Sequence, residues 1–118
     1  MENTNRLFLS ELVGLTEEGV KQTVACEFEV SRDAVSCYEF YVATIEQQDY
    51  EGHAYFLMKH QETGDFYEVE GGHCSCFGFE GQWEPKIAPK AYLGSEQYSP
   101  GYSYHKDEIK QFVKQLFS

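Results

Sequence analysis

The sequence predicts an α+β fold: an antiparallel sheet of about four strands packed against an N-terminal and a C-terminal helix, with a long aromatic and glycine-rich loop. Three observations carry this prediction. Residues 53–60 and 65–70 form two strand-like runs joined by Gln61-Glu62-Thr63-Gly64, where Gly64 supplies the positive φ of a tight hairpin loop. Ile109, Phe112, Val113, Leu116 and Phe117 recur at i, i+3, i+4, i+7 and i+8, the apolar stripe of an amphipathic helix. The chain has 118 residues, which suits one domain over 1–118 and leaves no room for a second core.

The elements follow in order. Over residues 5–13 the pairs Phe8/Leu12 and Leu9/Val13 sit at i, i+4, with Thr4 as cap and Gly14 as stop, and predict a short helix. Residues 23–30 alternate: Val24, Cys26, Phe28 and Val30 against Thr23, Ala25, Glu27 and Glu29, the signature of a half-buried strand. Ser31-Arg32-Asp33 suits a turn. At 36–46 two signals compete. Ser36-Cys37-Tyr38-Glu39 matches a helix capping box, but Tyr38, Phe40, Tyr41, Val42, Thr44 and Ile45 are aromatic or β-branched and favour a strand. In the hairpin, Ala54, Phe56 and Met58 face inward from one strand and Tyr67 and Val69 from the other. Residues 71–104 show no period and hold six glycines and three prolines. So long a stretch is either a functional loop packed by its own aromatics or a set of short strands. In the last helix Asp107 and Glu108 occupy the first turn and Lys114 the end, as the helix dipole favours.

The formal net charge is -11, and it is uneven. Residues 33–85 carry eleven acids and only Lys59, whereas 86–118 carry five lysines and three acids. Such a chain repels nucleic acid and anionic membranes. With 42% hydrophobic and 16% aromatic residues it is not a disordered acidic tail. No apolar run approaches the length of a bilayer span, and Met1-Glu2-Asn3-Thr4-Asn5 lacks the basic region of a secretory signal, so a soluble cytoplasmic protein is expected. Two readings of the acidity stand. One is a solvated face that aids solubility. The other is a docking face for a basic partner protein, including one that normally holds nucleic acid, with Glu46, Asp49, Glu51, Glu62, Asp65, Glu68 and Glu70 standing in for phosphates.

The densest chemical cluster is Gly71-Gly72-His73-Cys74-Ser75-Cys76-Phe77-Gly78. Thiolates and imidazole suit zinc, and His73, Cys74 and Cys76 with one of His53, His60 or His105 would make four ligands. Cys-x-Cys is a poorer chelate than Cys-x-x-Cys, so two small buried thiols in a glycine-framed turn are the plainer alternative. Without a secretion signal, Cys26, Cys37, Cys74 and Cys76 are expected as reduced thiols or metal ligands rather than disulfides. A cysteine nucleophile activated by histidine lacks an orienting group and an oxyanion donor in the sequence. Acid pairs such as Glu68/Glu70 and Asp49/Glu51 arise by chance in so acidic a chain. Trp83, Tyr92, Tyr98, Tyr102 and Tyr104 lack interleaved arginines and suit loop packing or protein contacts rather than base stacking.

Tyr50-Glu51-Gly52-His53-Ala54, then Gly64-Asp65-Phe66-Tyr67-Glu68-Val69, then His73-Cys74-Ser75-Cys76-Phe77-Gly78-Phe79-Glu80-Gly81-Gln82-Trp83-Glu84-Pro85 form a distinctive series. It resembles a family of small, mostly uncharacterised bacteriophage and prophage proteins. The likeness covers roughly residues 40–85, with His53, Phe66, Phe77 and Phe79 replacing other apolar or aromatic types. It implies a phage or mobile-element origin, a bacterial cytoplasmic setting, and His73, Cys74, Cys76, Trp83 and Glu84 as the family's local motif. It carries no activity. The expected function is therefore non-enzymatic: binding and inhibiting or modulating a basic host protein, such as a nuclease or defence complex. The alternative is a small zinc-binding module.

Overall fold

A computed structural model of the chain describes residues 6–48, 51–73, 78–101 and 103–117. In order the elements are β1 (Leu7–Ser10), α1 (Glu17–Phe28), α2 (Arg32–Ser36), β2 (Tyr38–Gln48), β3 (Glu51–His60), β4 (Phe66–His73), β5 (Lys86–Ile87), α3 (Lys90–Leu93) and α4 (Lys106–Leu116). The fold is α+β. The sheet runs β1-β2-β3-β4-β5, with β1 parallel to β2 and every later pair antiparallel. It is thus mixed and five-stranded rather than purely antiparallel and four-stranded. Helices cover both faces, not one. Val20, Val24, Ala25 and Phe28 of α1 and Val35 of α2 pack on Phe40, Ala43, Ile45, Ala54, Phe56, Met58 and Val69. Leu93 of α3 and Ile109 and Val113 of α4 pack on Val42, Tyr55, Leu57 and Phe66 from the other side.

The turn expected at Ser31-Arg32-Asp33 is instead the start of α2, where the Ser31 side chain accepts from the Ala34 amide; two further expectations are overturned, each because two apolar patterns overlap. The helix expected over 5–13 is β1. Leu7 and Leu9 pack toward α4 and Phe8 toward α1. A strand packed on both faces, as the half-buried β1 is, loses the polar alternation that marks a strand, and its apolar residues then fall at helical spacings too. Thr4 lies outside the described residues. The strand expected over 23–30 is the second half of α1. Val20, Val24 and Phe28 fall one helical turn apart and are buried, while Cys26 is exposed. The start signal was upstream: the Thr16 side chain accepts from the Gly19 amide at 3.0 Å, and Glu17 and Glu18 fill the first turn.

The strand over 36–46 forms as β2, slightly shifted, and the hairpin forms as expected. Gly64 adopts φ 78°, and Ala54, Phe56, Met58 and Val69 share one buried cluster with the half-buried Tyr67 against it. A bulge between Phe40 and Val42 changes the parity of β2. Tyr38 and Phe40 face α1 before it, Ala43 and Ile45 after it. Residues 71–104 contain the end of β4, β5 and α3, so short elements lie where no period was visible.

Candidate functional site

The second strand of the hairpin carries a cleft along its outer edge. β5 pairs with β4 at Glu68↔Lys86 and Tyr67↔Ile87, and the Ala88 amide donates to the Phe66 carbonyl at 2.7 Å. Carried further, this register would set Glu84 opposite Glu70 and Gln82 opposite Gly72. The pairing stops at Glu68 instead. Pro85 has no amide hydrogen to give, and two carboxylates directly opposite repel one another. At Gly72 the chain returns through a side chain. The Gly72 amide donates to Gln82 Oε1 at 2.8 Å, and Gln82 Nε2 donates to the Gly72 carbonyl at 2.8 Å. The Gln82 amide thus takes the place that a peptide group of a neighbouring strand would hold.

Between Gln82 and Lys86 the edge opens into a cleft of about 470 Å³ lined by Glu68, Glu70, Gln82, Glu84, Lys86 and Tyr92, among others. Three carboxylates face one ammonium there. Glu68 links the cleft to two buried tyrosines: Tyr55 donates to Glu68 Oε2 at 2.6 Å, and Tyr98 Oη lies 2.7 Å from Tyr55 Oη. Burial pushes both tyrosines up from their ordinary range, which keeps them as neutral donors. Burial also raises Glu68; the bond from Tyr55 opposes this and the Glu70 charge adds to it.

The raised Glu68 carboxyl has a consequence for pH. Its protonated form is favoured by folding, so its contribution is full below the ordinary glutamate value and is lost as pH rises through the raised one. Glu68→Gln keeps an acceptor for Tyr55 and removes the charge. The variant is expected to melt above the native chain at neutral pH, with the gap closing as pH falls below about 4. Melting curves across pH check this, and a gap that does not change with pH contradicts it.

The seven acids assigned to one docking face do not share a face. Glu46 is 4% exposed and accepts from Thr44 Oγ1 (2.8 Å), Ser103 Oγ (2.5 Å) and the Tyr104 amide (2.9 Å). It lies between the sheet and the segment before α4, and is a clamp rather than a surface charge. Glu62 and Asp65 are exposed at the hairpin turn, and Glu51 is exposed at the opposite end of the ten-residue β3, ~30 Å away at the rise of a strand. Of the described acids among the seven, only Glu68 and Glu70 line one cleft, which Glu84 lines too. Asp49 lies outside the described residues.

Of the resemblance motif, Trp83 closes the core on the α1 face, with its ring 5.6 Å from Phe28 and 6.4 Å from Phe40. His73 packs edge-on to Phe79 at 4.7 Å, and its Nε2 is 3.1 Å from Gln47 Oε1. Gly52, its partner across the hairpin, leaves room for the ring: a Cβ there would collide with the imidazole. Cys74 and Cys76 lie outside the described residues, and so therefore does the thiolate half of the zinc reading. Among the described residues no three His, Cys, Asp or Glu side chains gather around a point that could hold a metal ion. His60 Nδ1 accepts from the Glu62 amide at 3.2 Å, and His53 lies against Tyr104.

The aromatic segment packs as expected. Tyr98 is buried and meets Tyr92 edge-on at 5.5 Å, whereas Tyr104 is exposed; Tyr102 lies outside the described residues. The reading missed Gln82, Lys86 and Tyr92 as cleft residues. Pro85 was the one available signal, because a proline inside a strand run marks an edge. No described helix is long and apolar enough to cross a membrane. Comparison with protein-family models, curated proteins and solved structures finds no match.

Proposed function

We propose that this chain is a binding protein that docks on a basic surface of a bacterial host protein and inhibits or modulates it, as the resemblance to phage proteins implies. The cleft between Gln82 and Lys86 is the receptor for a lysine or arginine side chain of that partner. The observation that carries this reading is that Glu68, Glu70 and Glu84, with Lys86 the one cation among the described lining residues, line a space of about 470 Å³. A guanidinium suits it well. It pairs with carboxylates in a bidentate manner, and the Tyr92 ring offers a face for stacking. The acidity of residues 33–85 adds long-range attraction, which speeds encounter and weakens with salt.

The test uses three baits on one bacterial lysate: the native chain, Glu70→Gln with Glu84→Gln, and Glu62→Gln with Asp65→Asn. The two variants lose the same formal charge. The reading predicts a salt-sensitive protein retained by the native chain and the hairpin-turn variant and lost by the cleft variant. Equal retention on all three baits overturns the cleft as receptor.

A further inference from the structure

We infer that Ser10 and His105 form an acyl-transfer site at the opposite edge of the sheet from the cleft. Ser10 Oγ lies 3.0 Å from His105 Nε2, a contact between residues 95 apart in the chain. Ser10 ends β1 at φ 55°, a left-handed conformation that costs a serine energy and clusters at functional turns. The strain is held by neighbours: the Glu11 amide donates to the Ile45 carbonyl at 3.2 Å, and the Val13 amide donates to the Ser10 carbonyl at 3.2 Å.

His105 is positioned from the other side. Its amide donates to Ser103 Oγ at 3.0 Å, and Ser103 donates to the buried Glu46. Glu46 follows Ile45, the residue of β2 that stands in register with Ser10. One buried carboxylate therefore anchors the histidine segment beside the serine strand. His105 Nδ1 faces Glu108 Oε1 at 3.7 Å, so a carboxylate stands ready to stabilise the imidazolium that forms when the ring takes a proton. His105 is the N-cap residue of α4 and its ring makes no capping bond to the helix.

The substrate class is an activated acyl compound, an ester or thioester whose carbonyl carbon a serine hydroxyl can attack. Ser10 Oγ attacks the acyl carbon while its proton passes to His105 Nε2. The bond to the leaving alcohol or thiol breaks, and that group takes the proton from Nε2. Water then attacks the acyl-serine with His105 as base, releasing the acid and restoring Ser10.

The experiment treats the full chain with a fluorophosphonate probe, maps the modified residue by peptide mass, and follows hydrolysis of p-nitrophenyl butyrate. Ser10→Gly is the informative variant, because glycine adopts the positive φ freely and the fold is kept. The inference predicts labelling at Ser10, none there in a Ser10→Gly chain that melts no lower than the native one, and labelling slowed about 100-fold in His105→Asn. Ester hydrolysis falls in parallel. No labelling, labelling at another residue, or an unchanged rate in His105→Asn overturns it.

Discussion

Phe28→Ala is expected to destabilise the protein by about 3–5 kcal/mol, the range for removing a buried aromatic from a packed core. Phe28 has no exposed surface and ends α1. Its ring stacks on Phe79 at 5.1 Å and meets Phe56 and Trp83 edge-on, each at 5.6 Å. It therefore joins three parts of the chain: the first helix, the centre of the sheet, and the 79–83 segment that follows the hairpin. The last link reaches the cleft, because Gln82 sits between Phe79 and Trp83 in sequence and closes one end of it. The cavity left by the ring adds to the lost transfer free energy, since the aromatic partners cannot collapse fully into it. Denaturant unfolding followed by the fluorescence of Trp83, the single tryptophan, gives both the stability and the local environment. Cys26→Ala, on the exposed side of the same helix, is the control and is expected within about 0.5 kcal/mol of the native chain. A loss of less than about 1 kcal/mol in Phe28→Ala would contradict the packing described.

Glu46→Ala is expected to cost about 2–4 kcal/mol, because it removes an acceptor from three donors at once. Thr44 Oγ1, Ser103 Oγ and the Tyr104 amide all donate to this carboxylate. Two of them belong to the segment that leads into α4. With the carboxylate gone, the buried hydroxyls are left without their acceptor and the segment loses its anchor on β2. Glu46→Gln retains one acceptor oxygen, so it is expected to cost less than the alanine variant. Hydrogen exchange at the Tyr104 amide reports the clamp directly: protection falls sharply in the alanine variant and partly in the glutamine variant. Equal stability of both variants and the native chain would show that the carboxylate does not hold the segment.

The hairpin was legible from its turn, although β3 is buried on both faces, and the last helix from its one solvent side. In the hairpin Gly64 marks the turn, and in α4 Ile109, Phe112, Val113 and Phe117 fall on one stripe. β1 and α1 were not legible, for related reasons. Leu7, Phe8 and Leu9 are packed on both sides, so no polar alternation survives, and the apolar spacing of β1 then suits a helix as well as a strand. In α1 Cys26 and Ala25 are small enough to sit on either side of a pattern, and the alternation over 23–30 arose from an apolar-looking but exposed Cys26. The Thr16 cap, read before the alternation, would have favoured the helix.

The site was legible in composition but not in arrangement. The excess of acid in the middle of the chain is a sequence property, and Glu68 and Glu70 are where the sequence suggested a charged face. Glu46 was grouped with them because burial of a carboxylate depends on Ser103 and Tyr104, more than fifty residues away. The pairing of Ser10 with His105 spans almost the whole chain, and no local motif announces it. The cleft itself exists because β5 stops pairing after two residues, which follows from Pro85 and from Glu84 facing Glu70 once the register is known.

The most direct test of the cleft as a receptor for basic side chains is a titration of the isotope-labelled chain with an acetylated Lys-Arg-Lys-Arg peptide, followed through the backbone amide resonances. The account predicts shifts concentrated at 68–72, 82–86 and Tyr92, suppressed by added salt and absent in Glu70→Gln with Glu84→Gln. Shifts centred on Glu62 and Asp65, or spread evenly over every acidic residue, would contradict it and leave the charge of this chain as a solvated surface.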